Sequence, residues 1–147
     1  MLHDKYMTII RKLKKEDATH VAKLIIQLTK NIIDKNNFIS RIEKLAKVGD
    51  YQYFVAEIED KVIGFAGLAW HPIPSKGLIS WVEEVVVDER ARGKGVGKKL
   101  MNQLLKLAKE KNCSQIKLTV SNPVAKALYE KLGFIKKDEE YLIKKFY

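Results

Sequence analysis

The chain has 147 residues, 46% hydrophobic, 31% charged and 9% aromatic, which suits one globular domain spanning 1–147 and excludes two full ones. A chain of this length buries about two-thirds of its unfolded surface, so it needs neither a disulfide framework nor a structural metal, and its single Cys113 allows no internal bridge. Lysine and arginine number 28 against 18 acidic residues, a formal charge of +10 that favours an anionic partner.

Thr8–Leu13 reads as a first strand. A helix follows from about Glu16, with Ala18, Val21, Ala22, Ile25 and Leu28 at the i, i+3, i+4 spacing of one buried stripe. A second helix covers Phe38–Val48. Tyr53–Ile58 and Val62–Trp70 form a hairpin closed by Glu59, Asp60 and Lys61, and Leu78–Val87 is another long β-branched run. Three strands in succession predict an antiparallel meander. After Val87 come glycines at 93, 95 and 97, then a helix with Leu100, Met101, Leu104, Leu105, Leu107 and Ala108 on one side and lysines on the other. Ile116, Leu118 and Val120 alternate with polar residues, as in a half-buried strand. Asn122-Pro123 is a helix start, with asparagine as cap and proline at the first helical position. Gly133 ends that helix, and Phe134–Tyr147 is predicted to supply one or two closing strands. No repeat, low-complexity tract or linker interrupts the chain.

The charge does not mark a nucleic-acid binder. Arginine, on which base-edge and phosphate recognition leans, stands only at 11, 41, 90 and 92, and the lysines are spread over every element without interleaved aromatics. Met1–Tyr6 is polar and lacks the apolar run of a signal peptide, and the most apolar stretch, Val62–Trp70, is about half of a membrane span. The expectation is a cytoplasmic protein, compatible with a free thiol and with no membrane or nucleic-acid partner. His3, His20 and His71 are too scattered for a metal site, and none is expected. Cys113, between a helix and a strand, reads as a packed thiol.

The segment Val85-Val86-Val87-Asp88-Glu89-Arg90-Ala91-Arg92-Gly93-Lys94-Gly95-Val96-Gly97-Lys98 runs from a strand through a glycine-rich turn into a helix. Such a turn makes an anion site: without Cβ atoms the backbone approaches a phosphate closely, and the helix start adds partial positive charge. It is not a P-loop, because Arg92 stands where the first glycine belongs and Lys99 where Ser or Thr belongs; the dinucleotide fingerprint fails too, with Lys98 or Leu100 at the third glycine.

Arg92-Gly93-Lys94-Gly95-Val96-Gly97 instead resembles the R-x-x-G-x-G signature of the GCN5-related N-acetyltransferases. Asn122-Pro123-Val124-Ala125-Lys126-Ala127-Leu128-Tyr129-Glu130-Lys131-Leu132-Gly133-Phe134 resembles that family's N-x-x-A-x-x-L-Y-x-x-x-G-F segment. The resemblance extends through the chain and implies a single-domain α/β fold: a mixed, mostly antiparallel sheet of six to seven strands with about four helices, splayed between strands four and five. It implies acetyl-CoA as acyl donor, with the backbone of Val85, Val86 and Val87 along the pantetheine arm. Arg92, Gly93, Lys94, Gly95, Val96, Gly97 and Lys98 would hold the pyrophosphate, and Asn122 would bind near the splay. Tyr129 would meet the thioester sulfur as general acid.

Transfer to an amine needs a base, an oxyanion donor and an acid. Glu83 and Glu84 on an otherwise apolar strand are the candidate bases, and their alternation predicts that only one faces the cleft. A strand bulge freeing a backbone N–H near Val87 would serve the carbonyl. The acceptor, a small-molecule or protein amine, is expected near the first two helices and the loop through Trp70, His71 and Pro72; Trp70 and Trp81 either line it or, as large aromatics on strands, pack in the core, and Asp34, Glu43 and Asp50 either attract the amine or are solvated surface charges. A non-catalytic acyl-CoA-binding domain is the alternative. The oligomeric state is not fixed by the sequence, and a homodimer is compatible with it.

Overall fold

A computed structural model describes residues 7–147; the polar stretch Met1–Tyr6 lies outside them. In chain order the elements are β1 (Ile9–Lys12), α1 (Ala18–Leu28), α2 (Phe38–Lys44), β2 (Tyr51–Ile58), β3 (Lys61–Ile73), β4 (Gly77–Val87), α3 (Val96–Glu110), β5 (Gln115–Lys117) and α4 (Pro123–Lys131). The sheet runs β1-β2-β3-β4-β5, its first four strands antiparallel and the last pair parallel. No helix among the described residues is long and apolar enough to cross a membrane.

Alternation along the strands divides the core into two layers. Phe54, Ala56, Ala66, Leu68 and Trp70 face α3, whose Val96, Leu100, Met101, Leu104, Leu107 and Ala108 form the stripe that the spacing predicts. Val55, Phe65 and Val86 face the other way, onto Val21, Ala22, Leu24 and Ile25 of α1 and Ile42 of α2. Leu28, assigned by spacing to the α1 stripe, is instead 53% exposed at the end of the helix. Asn122 caps α4 as its sequence predicts: its Oδ1 accepts from the N–H of Val124 at 2.8 Å and of Ala125 at 3.3 Å.

Two expectations are corrected. The sheet has five strands among the described residues, not six to seven, because Phe134–Tyr147 forms no strand. Phe134 is tied to the body, its N–H donating to the Tyr129 carbonyl at 3.0 Å and its ring edge-on to Tyr129 at 5.9 Å. Beyond it the run Lys136-Lys137-Asp138-Glu139-Glu140 breaks the apolar alternation a closing strand needs, and Ile135, Leu142, Ile143 and Phe146 are all exposed. The second correction is β5 itself, three residues long where alternation to Val120 predicts more; its partner leaves it after Lys117.

One buried polar cluster joins the start of α1 to the sheet. Arg11 on β1 donates to both oxygens of Asp17, at 2.8 and 2.9 Å, and its Nε to Glu57 on β2 at 3.1 Å. The Lys14 N–H also donates to Asp17, at 2.8 Å. Burial alone would push the Asp17 carboxyl up, but these donors reverse that and hold it below the ordinary carboxylate value. Asp17→Asn removes the charge while leaving the Arg11 guanidinium with Glu57, and is expected to lower the unfolding free energy at pH 7 by about 2 kcal/mol, read by urea denaturation. Because the folded-state value is the lower one, this contribution is present above about pH 4 and disappears as pH falls through the folded value. The gap between parent and variant should therefore close on acidification.

Candidate active site

The site grows from β4. This strand pairs with β3 from Gly77 to Val87, but with β5 only where Ile79, Ser80 and Trp81 lie opposite Gln115, Ile116 and Lys117. The closed end is pinned: the buried Ser80 hydroxyl donates to the Gln115 carbonyl at 3.0 Å and the Ser114 N–H to the Leu78 carbonyl at 2.8 Å. Beyond Trp81 the strands diverge, leaving the backbone edge of Val82, Glu83, Glu84, Val85, Val86 and Val87 without a strand partner on that side among the described residues. The gap is a cavity of about 290 Å³ between residues 82–85 of β4 and Leu118, Thr119 and Tyr129.

Tyr129 reaches this gap from α4, its ring almost wholly buried. Burial pushes its phenol above the ordinary value, so it stays protonated at neutral pH. The side chains of Val85 and Val87 pack toward the α3 layer and Val86 toward α1, and of the three only Val85 lines this cavity.

A bulge interrupts β4 where the carboxylates stand. Gly67 pairs with Glu83 and Phe65 with Val86, so Ala66 faces two residues, and Glu84 takes φ of +43°. The bulge therefore lies at Glu84 and Val85 rather than near Val87. It also overturns the expectation that only one carboxylate faces the cleft, since Glu83 and Glu84 both line the cavity. Both have carboxyls displaced upward. For Glu83 the cause is desolvation in the cleft and then the charge of Glu84; for Glu84 it is desolvation, partly offset by Arg41.

The same two glutamates border a second, larger cavity of about 680 Å³ on the opposite layer, walled by Phe38, Arg41, Ile42 and Lys44 of α2, Ile25 of α1, and Tyr53. Asp34 also lines it, whereas Glu43 pairs with Lys15 at 3.8 Å and Asp50 is not on its wall. Arg41 is held in place by the carbonyls of Ile33 at 2.6 Å and Asp34 at 3.1 Å and lies 5.9 Å from the Phe38 ring centre. Neither tryptophan lines either cavity. Trp70 packs in the α3 layer under Lys111, and Trp81 lies beside Lys117 at the pinned end of β4. Cys113 packs against the α3 layer.

The glycine-rich turn lies between two anchors, Ala91 and Val96, both buried, while Arg92, Gly93, Lys94 and Gly95 are exposed. Asp88 opens the turn by accepting from the Arg90 N–H at 3.0 Å. Gly93 and Gly95 have φ of +79° and +78°, and a Cβ at either would meet no protein atom within 4 Å. These glycines thus keep a strained backbone and an open face, while α3 begins at Val96 with the N–H groups of Val96, Gly97 and Lys98 lacking an acceptor within the helix. With Lys94 and Lys98 alongside, the turn fits a pyrophosphate. Asn122 spends its side-chain oxygen on the α4 cap, which leaves its amide NH₂ for a ligand. Sequence reasoning missed Tyr53, Phe38, Arg41 and Lys44: their membership depends on how α2 docks on the sheet, for which periodicity carries no signal.

A sheet opened between a pinned and a splayed half, with an anion turn at one end and a tyrosine across the gap, defines an acyltransferase fold. The sequence model of the Acetyltransferase (GNAT) family matches residues 10–134, and the chain belongs to that family. Glucosamine 6-phosphate N-acetyltransferase 1 of Oryza sativa subsp. japonica is 32% identical over 108 residues, covering 69% of this chain and 64% of its own length. Thialysine N-epsilon-acetyltransferase of Bos taurus is 26% identical over 140 residues, covering 85% of this chain and 82% of its own. The crystal structure of glucosamine-6-phosphate N-acetyltransferase from Arabidopsis thaliana superposes with a TM-score of 0.80 at 29% identity, over 95% of this chain and 99% of that one. The chain spans 40–64% of the length of the glucosamine 6-phosphate N-acetyltransferase relatives from Oryza, Drosophila and Trypanosoma.

The turn generates a direct test. Saturating acetyl-CoA at about a hundred times its dissociation constant should add roughly 2.7 kcal/mol to the stability of the parent, and Gly95→Val should abolish that increment by putting a branched side chain on the open face. The reading is the difference in melting temperature with and without ligand, which cancels any intrinsic strain of the variant.

Proposed function

We propose that this chain is an acetyl-CoA-dependent N-acetyltransferase that moves the acetyl group directly to a primary amine, acting in the cytoplasm. The observation that carries the reading is the meeting of two cavities at Glu83 and Glu84, with Tyr129 on the side of the open β4 edge. Acetyl-CoA, the donor of this family, supplies the thioester. The residues from Arg92 to Lys98 hold its pyrophosphate, and the free backbone edge of Val85, Val86 and Val87 pairs with its extended arm as an added strand would. The Asn122 amide contributes a further donor beside the splay.

Glu83 and Glu84 supply the base, their raised carboxyls being better matched to an amine near neutral pH than an ordinary glutamate. The bulge frees a backbone N–H to polarise the carbonyl, and Tyr129 gives its proton to the departing sulfur. No group of the chain needs to form a covalent bond with the acyl group.

The acceptor we favour is a small amine that also carries an anionic group, of the amino-sugar phosphate kind. The larger cavity carries both signs: Glu83 and Glu84 where it meets the smaller one, Arg41 and Lys44 on α2. An ammonium drawn to the first and a phosphate drawn to the second would be oriented along it. The relatives named for glucosamine 6-phosphate fit this choice, whereas an isolated cation would gain nothing from Arg41 and Lys44.

The test is coenzyme A thiol release from acetyl-CoA with glucosamine 6-phosphate, glucosamine, polyamines, amino acids, aminoglycosides and peptides. Turnover should be highest with the phosphorylated sugar, and Tyr129→Phe should lower kcat by about a hundredfold or more while the acetyl-CoA dissociation constant stays the same. Silence across the panel with retained acetyl-CoA binding would replace the enzyme by a non-catalytic binding domain; preference for a polyamine would overturn the anionic acceptor.

A further inference from the structure

The smaller cavity is walled by apolar side chains of two kinds. Val82 and Val85 of β4 and Leu118 beyond β5 border it, but all three also pack against the α3 layer, so their apolar surface is already in use. Leu28, at the end of α1, is the fourth apolar residue on the wall. It belongs to neither core layer and is 53% exposed. By spacing it continues the α1 stripe, four residues after Leu24 and three after Ile25, both buried, yet the core ends a turn before it. A lone exposed leucine on an open surface carries no message. On the wall of a cavity it keeps apolar area in reserve for what enters.

Hydrogen bonds of its two chain neighbours fix where Leu28 stands. Gln27 Oε1 accepts from the Glu89 N–H at 3.1 Å, tying the last turn of α1 to the segment that leaves β4 for the glycine turn. On the other side the Thr29 N–H donates to the Ile25 carbonyl at 2.9 Å, closing the helix, and Thr29 Oγ1 accepts from the Asn31 N–H at 3.1 Å. Leu28 therefore sits on backbone referenced to the strand across the cavity. A leucine on a mobile loop would yield to a bulkier ligand, whereas one tied in this way resists it.

The thioester carbon presents its sulfur, its oxygen and its methyl in one plane and takes the attacking nitrogen from above it. In the N-acetyltransferase reading, on which this step rests, the sulfur lies at Tyr129 on the α4 side, the oxygen points to the N–H freed by the β4 bulge, and the amine arrives from the larger cavity past Glu83 and Glu84. The side left for the methyl is that of α1. We propose that Leu28 is a specificity-determining residue for the acyl donor, packing on the acetyl methyl and occupying the space that a longer acyl chain needs.

The test compares acetyl-, propionyl- and butyryl-CoA as donors to the amine that gives most thiol release in the acceptor panel, with free coenzyme A as a binding control. The parent should prefer acetyl-CoA. Leu28→Ala, at a site outside both core layers, should raise kcat/KM for butyryl-CoA relative to acetyl-CoA by about tenfold or more, the order by which an apolar pocket discriminates added methylenes, while the dissociation constant of free coenzyme A stays within about twofold. Leu28→Phe should move the donor ratio the opposite way. A parent that uses butyryl-CoA as well as acetyl-CoA, or an unchanged ratio in Leu28→Ala, would overturn the proposal. So would an equal loss for every donor together with weaker coenzyme A binding, which marks a contact with the arm or a structural role. A parent that transfers no acyl group to any amine would overturn the enzymatic reading, and calorimetry would still decide the contact. Acetyl-CoA should then bind the parent about fourfold tighter than coenzyme A, the worth of one buried methyl, and Leu28→Ala should erase the difference; equal affinities in the parent would refute it.

Discussion

The functional architecture depends on β4 being paired on one edge and released on the other. Its antiparallel ladder with β3 runs the length of the strand, which fixes its position, while its parallel ladder with β5 stops at Trp81 and Lys117. An unpaired strand edge ordinarily invites aggregation. Here the edge borders a cavity flanked by Tyr129 of α4 and Leu28 at the end of α1. The buried Ser80–Gln115 hydrogen bond gives the divergence a fixed starting point, so the opening is part of the folded state rather than a product of ligand binding.

The bulge solves a second problem imposed by the same strand. Val82 and Val85 pack toward the α3 layer and Val86 toward α1, an assignment that strict alternation over residues 82–86 forbids. One inserted residue, Glu84, restores it. Its φ of +43° costs a glutamate on the order of 1 kcal/mol, a local strain repaid by keeping three valines in contact with their layers. The same insertion removes the usual separation of neighbouring side chains to opposite faces, and two carboxylates come to share one cleft. The carboxylate pair is thus a consequence of how the apolar neighbours are packed.

The glycine turn and the start of α4 were legible in the sequence because they are built from local backbone chemistry. A glycine needed for positive φ, an asparagine followed by proline at a helix start, and a tyrosine six residues after that proline keep their meaning over a short segment. The wall of the larger cavity was not legible. Tyr53 has room for its ring only because Gly67 stands fourteen positions away, and Arg41 is placed by the carbonyls of Ile33 and Asp34 after α2 has docked. Trp70 follows the ordinary expectation for a large aromatic on a strand, filling the α3 layer rather than lining a cavity. The closing strands failed on composition, since a run of five charged residues interrupts the apolar alternation after Phe134.

The charge of +10 takes on a different meaning once the site is placed. Lys94 and Lys98 stand at the glycine turn and Lys44 at the larger cavity, while Glu83 and Glu84 stand where the two cavities meet. A basic surround raises the local concentration of anionic ligands and would, acting alone, lower the carboxyls of Glu83 and Glu84. Desolvation in the cleft prevails over that long-range field, because lysines in water are screened beyond about 10 Å, whereas the loss of hydration acts at the group itself. Lysines at the glycine turn and the larger cavity therefore coexist with two carboxyls that desolvation displaces upward where the cavities meet.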